Sequence, residues 1–113
     1  MRSLLLSALL GGCAASAAST PLAAPPHEMP ARAVGSVEVF VGSQPPRPHL
    51  DVALVTVKRG QASIDDMVAV MRGRAAELGC DALVIAGGFG RNGIEGLVGG
   101  CAVYTDGPAS ASR

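Results

Sequence analysis

Tryptophan is absent from this chain of 113 residues, and its only aromatic residues are Phe40, Phe89 and Tyr104. So few rings exclude the stacking platforms with which single-stranded nucleic-acid binders hold bases. An excess of charge of either sign is missing too, because nine basic side chains balance nine acidic ones. A neutral chain has no electrostatic preference for nucleic acid or an anionic surface. We therefore expect no nucleic-acid partner.

The sequence also lacks an apolar run long enough to cross a membrane. Its N-terminal apolar stretch, residues 4–10, is far below the ~20 residues that a transmembrane helix needs. The stretch follows Arg2 and leads into Leu10-Gly11-Gly12-Cys13, as in an export signal. LGGC resembles the lipobox of bacterial lipoproteins, in which an aliphatic residue and two small residues precede a cysteine. The resemblance implies cleavage after Gly12 and lipidation of the Cys13 thiol with diacylglycerol; an ordinary signal peptide with an incidental cysteine is the alternative.

The lipoprotein interpretation also predicts where the protein lies and how it is divided. Ala14 follows Cys13, and in such lipoproteins a residue other than Asp there implies the outer membrane, so we expect lipid anchoring at its periplasmic face. Residues 13–34 are rich in Ala, Ser and Pro, which predicts a disordered tether of roughly 25 Å as a coil or ~60 Å extended. Such a tether would keep the domain away from the membrane. The expected divisions are a signal peptide at 1–12, the tether at 13–34, one domain at 35–106 and a disordered tail at 107–113.

Hydrophobic periodicity predicts four strands and one helix in this domain. The strands are expected near residues 36–41, 50–58, 82–86 and 97–104. The helix is expected between an N-cap at Ser63 and a left-handed residue at Gly79. Its predicted buried stripe is Ile64, Val68, Met71, Ala75 and Leu78. The expected fold class is α+β, a mixed sheet of about four strands with one amphipathic helix on one face (β-β-α-β-β), containing a parallel crossover and a final antiparallel hairpin.

A glycine-rich stretch, residues 88–93 (GFGRNG), matches the G-x-G-x-x-G pattern of dinucleotide-binding loops. Such a loop must be followed by a helix, whose N-terminal amides hold the pyrophosphate. Residues 94–100 (IEGLVGG) do not favour a helix, and the acidic ribose ligand would fall ~20 residues on, at the end of the chain. We therefore expect a hairpin connection here, and no nucleotide or other cofactor.

Residue patterns for catalysis or metal binding are also missing. The sequence has no G-x-S-x-G, no Cys-x-x-Cys and no His-x-x-x-His. Both histidines, His27 and His49, lie in or beside proline-rich segments, and Asp65 and Asp66 are adjacent at the predicted helix start. Adjacent helical residues point to different faces, so these two carboxylates indicate helix-end charges. We expect no catalytic residue, no metal ligand and no enzymatic activity.

The segment 75–85 (AAELGCDALVI) is similar to the helix-to-strand junction A-x-x-LGADAVV of two bacterial groups. One is the small heavy-metal-binding-domain family, and the other is a set of envelope lipoproteins that includes the outer-membrane sensor of the Rcs stress phosphorelay. Arg47-Pro48 and residues 100–103 (GCAV) resemble the entry to their second strand and the close of their last. The resemblance implies an envelope domain that acts through an unidentified protein partner, in structure or stress sensing. The alternative is a small-ligand or metal-binding module built from the glycine loop and nearby cysteines.

Cys80 and Cys101 are a candidate disulfide, because export would place them in an oxidising compartment. Whether they can bond depends on the register of the predicted hairpin. A turn centred on Gly90-Arg91 sets them opposite each other, whereas a tight Asn92-Gly93 turn leaves Cys80 ~13 Å from the residue opposite Cys101. Two buried free thiols are the other alternative. The length of the glycine-rich connection favours the wide loop, and with it the bridge.

Overall fold

The computed structural model describes residues 16–106. These residues form a five-stranded mixed sheet with one long helix packed on one face. In chain order the elements are β1 (Ser16–Pro21), a short 3₁₀ turn (Val34–Ser36), β2 (Glu38–Val41), β3 (His49–Lys58), α1 (Ile64–Leu78), β4 (Ala82–Phe89) and β5 (Gly96–Tyr104). The predicted α+β class is confirmed, and the four predicted strands and the helix are all present, joined by a fifth strand.

Strand order in the sheet is β1-β3-β5-β4-β2. The pairs β1–β3, β3–β5 and β5–β4 are antiparallel, and β4–β2 is parallel. Because β5 is antiparallel to both β3 and β4, those two strands run in the same direction with β5 between them. The parallel crossover through α1 and the final antiparallel hairpin are therefore confirmed.

Both ends of α1 follow from the sequence. Ser63 Oγ accepts a hydrogen bond from the Asp66 amide at 3.1 Å, which satisfies one of the free N–H groups of the first turn. At the other end Gly79 has φ +80°, and its amide donates to Ala76 O while the amide of Cys80 donates to Ala75 O. This pair of hydrogen bonds is a Schellman motif, which requires a left-handed residue and so favours glycine.

The buried face of α1 differs from the predicted stripe in its first turn. Met67, Met71 and Ala75 are buried against the sheet, whereas Ile64 is exposed. The prediction for Ile64 is wrong. A stripe through Met71 and Ala75 can begin at Ile64 or at Met67, which both lie in the first turn, and in the structure it begins at Met67. Helical periodicity alone does not choose between them. The sheet residues of this core include Val55, Val57, Leu83, Ile85, Leu97 and Val103.

The fifth strand, β1, comes from the Ala- and Ser-rich segment predicted to be a disordered tether. It pairs with β3 from Ser16 opposite Lys58 to Pro21 opposite Ala53. The helix also holds it, since Arg74 Nη2 donates to Ser19 Oγ at 3.0 Å. The tether prediction is therefore wrong for these residues. Ala and Ser side chains do not show the alternation of apolar and polar residues by which a strand is recognised. An edge strand can nevertheless be held by backbone hydrogen bonds to its neighbour.

Residues 22–37, which we call the crossing segment, carry the chain from β1 at one edge of the sheet to β2 at the other. The segment passes the C-terminal end of α1, where the Arg32 amide donates to Ala76 O at 3.0 Å. A Cβ added at Gly79 would lie 2.5 Å from Met29 O, so this position needs glycine for its close contact as well as for its φ. This part of the predicted tether is also packed on the domain.

Candidate functional site

The predicted lipidation site, Cys13, lies outside the residues that the structure describes. Within residues 16–106 there is no helix both long and apolar enough to cross a membrane. Ser16, three residues after Cys13, pairs with Lys58 in the sheet.

The predicted cysteine pair is brought together. Cys80 and Cys101 are fully buried on the helix side of the sheet, with their Cα atoms 5.5 Å apart and their sulfur atoms at bonding distance. This Cα separation is within the range found for disulfides. The prediction that the two cysteines lie close enough to form a disulfide is confirmed.

The register that was expected to allow the bridge is wrong. Cys101 pairs with Leu83, and at the far end of the hairpin Phe89 pairs with Gly96, so the turn is centred on Asn92-Gly93. Cys80 still reaches Cys101 because it precedes β4 and belongs to the Schellman turn that ends α1. The estimate of ~13 Å assumed that Cys80 continued the strand. The helix cap, rather than strand pairing, sets the distance between the two cysteines.

The glycine-rich stretch forms a hairpin connection, as predicted. β4 continues through Phe89, residues 90–95 form the loop, and the Glu95 amide closes it by donating to Phe89 O at 2.7 Å. β5 follows directly at Gly96. Gly96 and Cys101 are five residues apart on one strand, which corresponds to ~17 Å. The loop and the cysteine pair therefore lie at opposite ends of the hairpin.

A buried carboxylate, Asp81, follows Cys80 in the sequence and joins three parts of the fold. Its Oδ1 accepts from Arg32 Nη1 at 2.5 Å, and its Oδ2 accepts from the Tyr104 amide at 2.9 Å. Its backbone carbonyl accepts from the Glu38 amide at 3.1 Å. Asp81 thus links the crossing segment, the start of β2 and the end of β5. Asp81 therefore has a structural role.

Tyr104 forms a second polar cluster on the sheet face opposite α1. Its hydroxyl donates to Glu38 Oε1, and the Arg47 guanidinium lies 4.0 Å from the centre of its ring. Burial, followed by the hydrogen bond to Glu38, raises the pKa of Tyr104 well above its ordinary value of 10.0. Arg47 also binds Asp106 at 2.6 Å, and this hydrogen bond lowers the pKa of the Asp106 carboxyl.

The interactions of Arg32, Glu38, Asp81 and Tyr104 were not predicted from the sequence. One signal was present: Asp81 is an acidic residue between a helix end and an apolar strand, where a buried carboxylate needs partners. Its partners are distant in the chain, since Arg32 lies 49 residues from Asp81 and Tyr104 lies 23 residues from it. Nothing local in the sequence could pair them.

The two histidines are engaged in local hydrogen bonds. His27 Nδ1 contacts Glu28 O at 2.9 Å, and His49 contacts Arg47 O at 2.8 Å and Gln44 Oε1 at 3.0 Å. Asp65 and Asp66 lie in the first turn of α1, where the helix dipole favours negative charge. Within residues 16–106, no three His, Cys, Asp or Glu side chains are grouped so that they could hold a metal ion.

A mainly apolar cleft of about 190 Å³ opens between the crossing segment and the core. Cys101 forms part of its wall, beside Met29 and Leu78. The remaining lining residues are Ser19, Pro21, Ala23, Pro25, Val52 and Ala53. The cleft is large enough for a short alkyl chain and carries no ionisable side chain.

Comparison of this chain with protein-family models, with curated proteins and with solved structures found no match. The resemblance of the 75–85 junction to the envelope lipoproteins therefore remains a prediction.

Proposed function

We propose that this chain is a lipoprotein of the outer membrane, held at the periplasmic face by lipid on Cys13. Its α+β domain then serves as a structural or stress-sensing component of the envelope, through contacts with another protein and without catalysis. Export, processing and lipidation follow from the LGGC sequence at residues 10–13. The partner is an envelope protein whose identity crosslinking from intact envelopes would reveal.

The observation that carries this proposal is the Cys80–Cys101 pair at disulfide distance. Disulfides persist in oxidising compartments such as the periplasm and are rare in the cytosol. The lipobox and the cysteine pair lie in different parts of the sequence and depend on different chemistry, yet both favour an exported protein. Their agreement supports the location more strongly than either signal does alone.

The roles of the internal polar groups favour a binding domain over an enzyme. Asp81 accepts hydrogen bonds from Arg32 and from the Tyr104 amide, and Tyr104 in turn donates to Glu38. These contacts join strands and the crossing segment. A group that is already fixed by several structural hydrogen bonds serves the fold, whereas a catalytic acid or base must meet a substrate.

A small-ligand module remains the second candidate function, but with a binding site other than the one predicted from the glycine loop and the cysteines. The glycine loop and the cysteine pair are ~17 Å apart along β5, so they do not make one site. The cleft beside Met29 and Leu78 favours instead a small apolar ligand. Titration of the purified protein with Zn²⁺, Cu²⁺, nucleotides and a short-chain fatty acid separates these classes, because stoichiometric tight binding of any one would favour the module.

The lipoprotein proposal is tested by Cys13→Ser in a Gram-negative host given labelled palmitate. We expect the variant to accumulate as an unprocessed precursor, to take up no label and to be absent from outer-membrane fractions. The matched control is the double variant Cys80→Ser/Cys101→Ser, which keeps Cys13 and should be processed and labelled normally. A Cys13→Ser protein that still carries palmitate in the outer membrane would contradict the proposal.

A further inference from the structure

One end of the sheet is defined by a row of paired residues across four strands. Ser16 pairs with Lys58, Lys58 with Gly96, and Gly96 with Phe89. We call this the Ser16 end. The β3–α1 connection and the β4–β5 loop both emerge here, and Arg59 joins them, since its amide donates to Glu95 O and its Nη1 to Ile94 O.

The predicted anchor lies very close to this end. Only Ala14 and Ala15 separate Cys13 from Ser16. Three Cα-to-Cα steps span at most ~11 Å even when fully extended. The polar interfacial layer on each side of a bilayer is itself roughly 5–8 Å thick. A chain lipidated at Cys13 therefore holds the Ser16 end within ~11 Å of the anchored cysteine, which is about two interfacial thicknesses at most.

Three large apolar side chains are exposed at this same end. Phe89 is 45% exposed and Ile94 is 42% exposed, both at the β4–β5 loop, and Ile64 is 38% exposed at the start of α1. The Ile94 side chain lies over Gly88 on the helix side of the hairpin, and the Phe89 ring lies over Gly96 on the opposite side. The two apolar groups therefore flank the end of the hairpin. Membrane-interface binding uses such side chains, with aromatic and aliphatic groups reaching the boundary of the acyl chains.

The charged side chains at the Ser16 end do not favour contact with an anionic membrane. The basic residues at the Ser16 end are Lys58, Arg59 and Arg91, and the acidic ones are Asp65, Asp66 and Glu95. Opposite charges in equal number give no net attraction to anionic headgroups. The surface is therefore suited to apolar contact with a bilayer rather than to electrostatic adsorption.

We propose that the Ser16 end rests on the lipid bilayer, with Phe89 and Ile94 inserted at the boundary between headgroups and acyl chains. The proposal rests on lipidation of Cys13. It assigns the glycine-rich loop a role as a membrane contact, and it leaves the opposite end of the domain directed towards the periplasm. A protein partner would then meet that opposite end or the sides of the sheet.

Single tryptophans test this placement, because the natural chain contains none. Phe89→Trp and Ile94→Trp report on the Ser16 end. The matched controls are Leu22→Trp and Leu50→Trp, whose parent side chains are 55% and 38% exposed. Leu22 follows Pro21, which pairs with Ala53, and Leu50 pairs with Val103, so both controls lie towards the other end of the sheet.

Each full-length variant is purified as the lipidated protein and placed in vesicles of phosphatidylethanolamine and phosphatidylglycerol, with or without bromine on the acyl chains. We expect bromine to remove most of the fluorescence of Phe89→Trp and Ile94→Trp and to leave both controls unchanged, at low and high salt alike. Equal quenching at all four positions, or none at Phe89→Trp and Ile94→Trp, would overturn the proposed placement.

Mass spectrometry and flotation separate this failure from failure of the lipoprotein proposal. A protein that carries lipid and floats with the vesicles, but shows no quenching at the Ser16 end, retains its anchor and loses the bilayer contact. A protein without lipid that does not float refutes the anchor. The membrane contact, which depends on it, is then refuted as well.

Discussion

Cys80 lies at the end of a helix and Cys101 in the middle of a strand, and their Cα atoms are 5.5 Å apart. The two are not partners in the β4–β5 ladder, where Leu83 occupies the position opposite Cys101. A bond between them therefore ties the helix layer to the sheet layer. It fixes the packing of α1 rather than the register of the hairpin.

We predict that the mature protein contains the Cys80–Cys101 disulfide. Alkylation without prior reduction should leave both thiols unmodified, as read by mass spectrometry of the digested protein. Reduction should lower the free energy of unfolding by about 3 kcal/mol, the chain-entropy value for a closed loop of this length. Alkylation of both cysteines in the unreduced protein would mean that they remain free thiols.

Tyr104 should ionise at a higher pH in the folded protein than in the unfolded chain. Its burial and its hydrogen bond to Glu38 favour the neutral phenol and raise its pKa above 10.0. Because Tyr104 is the only tyrosine and tryptophan is absent, phenolate absorbance reports this one group. Titration of the native protein should show no phenolate until well above pH 10, while the urea-unfolded chain should titrate near 10.

The same shift predicts a pH-dependent loss of stability. The folded state holds the Tyr104 proton more tightly, so its contribution is complete below about pH 10 and is lost as the pH rises above that value. Glu38→Gln should move the Tyr104 pKa towards, but not down to, its ordinary value, because burial remains the larger cause. Identical titrations of native and unfolded protein would show that the ring is not enclosed.

Two glycines of the helix region should respond oppositely to alanine. Gly73 lies inside α1, and apart from the backbone of the helix itself nothing lies within 4 Å of an added Cβ, so Gly73→Ala should stabilise the protein by up to about 1 kcal/mol. Gly79→Ala should destabilise it by roughly 2 kcal/mol or more, because of the left-handed φ and the contact with Met29 O. Urea unfolding of both variants checks the pair, and equal effects would contradict the Schellman geometry.

Removal of the Asp81 carboxylate should be costly. Asp81→Ala leaves the Arg32 guanidinium without this partner and the Tyr104 amide without its acceptor, and we expect a loss of roughly 3 kcal/mol. Asp81→Asn keeps an oxygen for the amide and should cost distinctly less. Denaturant unfolding measures both. A harmless Asp81→Ala would mean that the crossing segment is not held through this residue.

The local elements were predictable because their signals are local. Ser63 and Gly79 mark both ends of α1, and an apolar stretch such as residues 50–58 needs no partner in order to be recognised as a strand. β1 was not predictable, because its Ala and Ser side chains carry no pattern and its backbone depends on β3. The first turn of α1 was misassigned at Ile64, since periodicity fits either neighbouring position.

The contacts of the cysteine pair and of Asp81 were harder to predict from the sequence than the fold. That Cys80 and Cys101 form a pair could be predicted, because exported cysteines tend to form disulfides. Strand register could not predict their distance, because Cys80 belongs to the cap of α1 and not to a strand. Asp81 and Arg32 meet only because the crossing segment returns beneath the end of α1. Contacts of this kind depend on tertiary structure, which composition and spacing do not contain.

Both edges of the sheet are formed by the first strands of the chain, with β1 at one side and β2 at the other. The strands that pair with them are synthesised later, since Ser16 pairs with Lys58 and Glu38 pairs with Ala82. The two outer strands are therefore synthesised before the three strands that they flank. β1 therefore has no sheet partner until β3 has been made, and β2 has none until β4 has been made, so neither edge strand can form at the time it is synthesised.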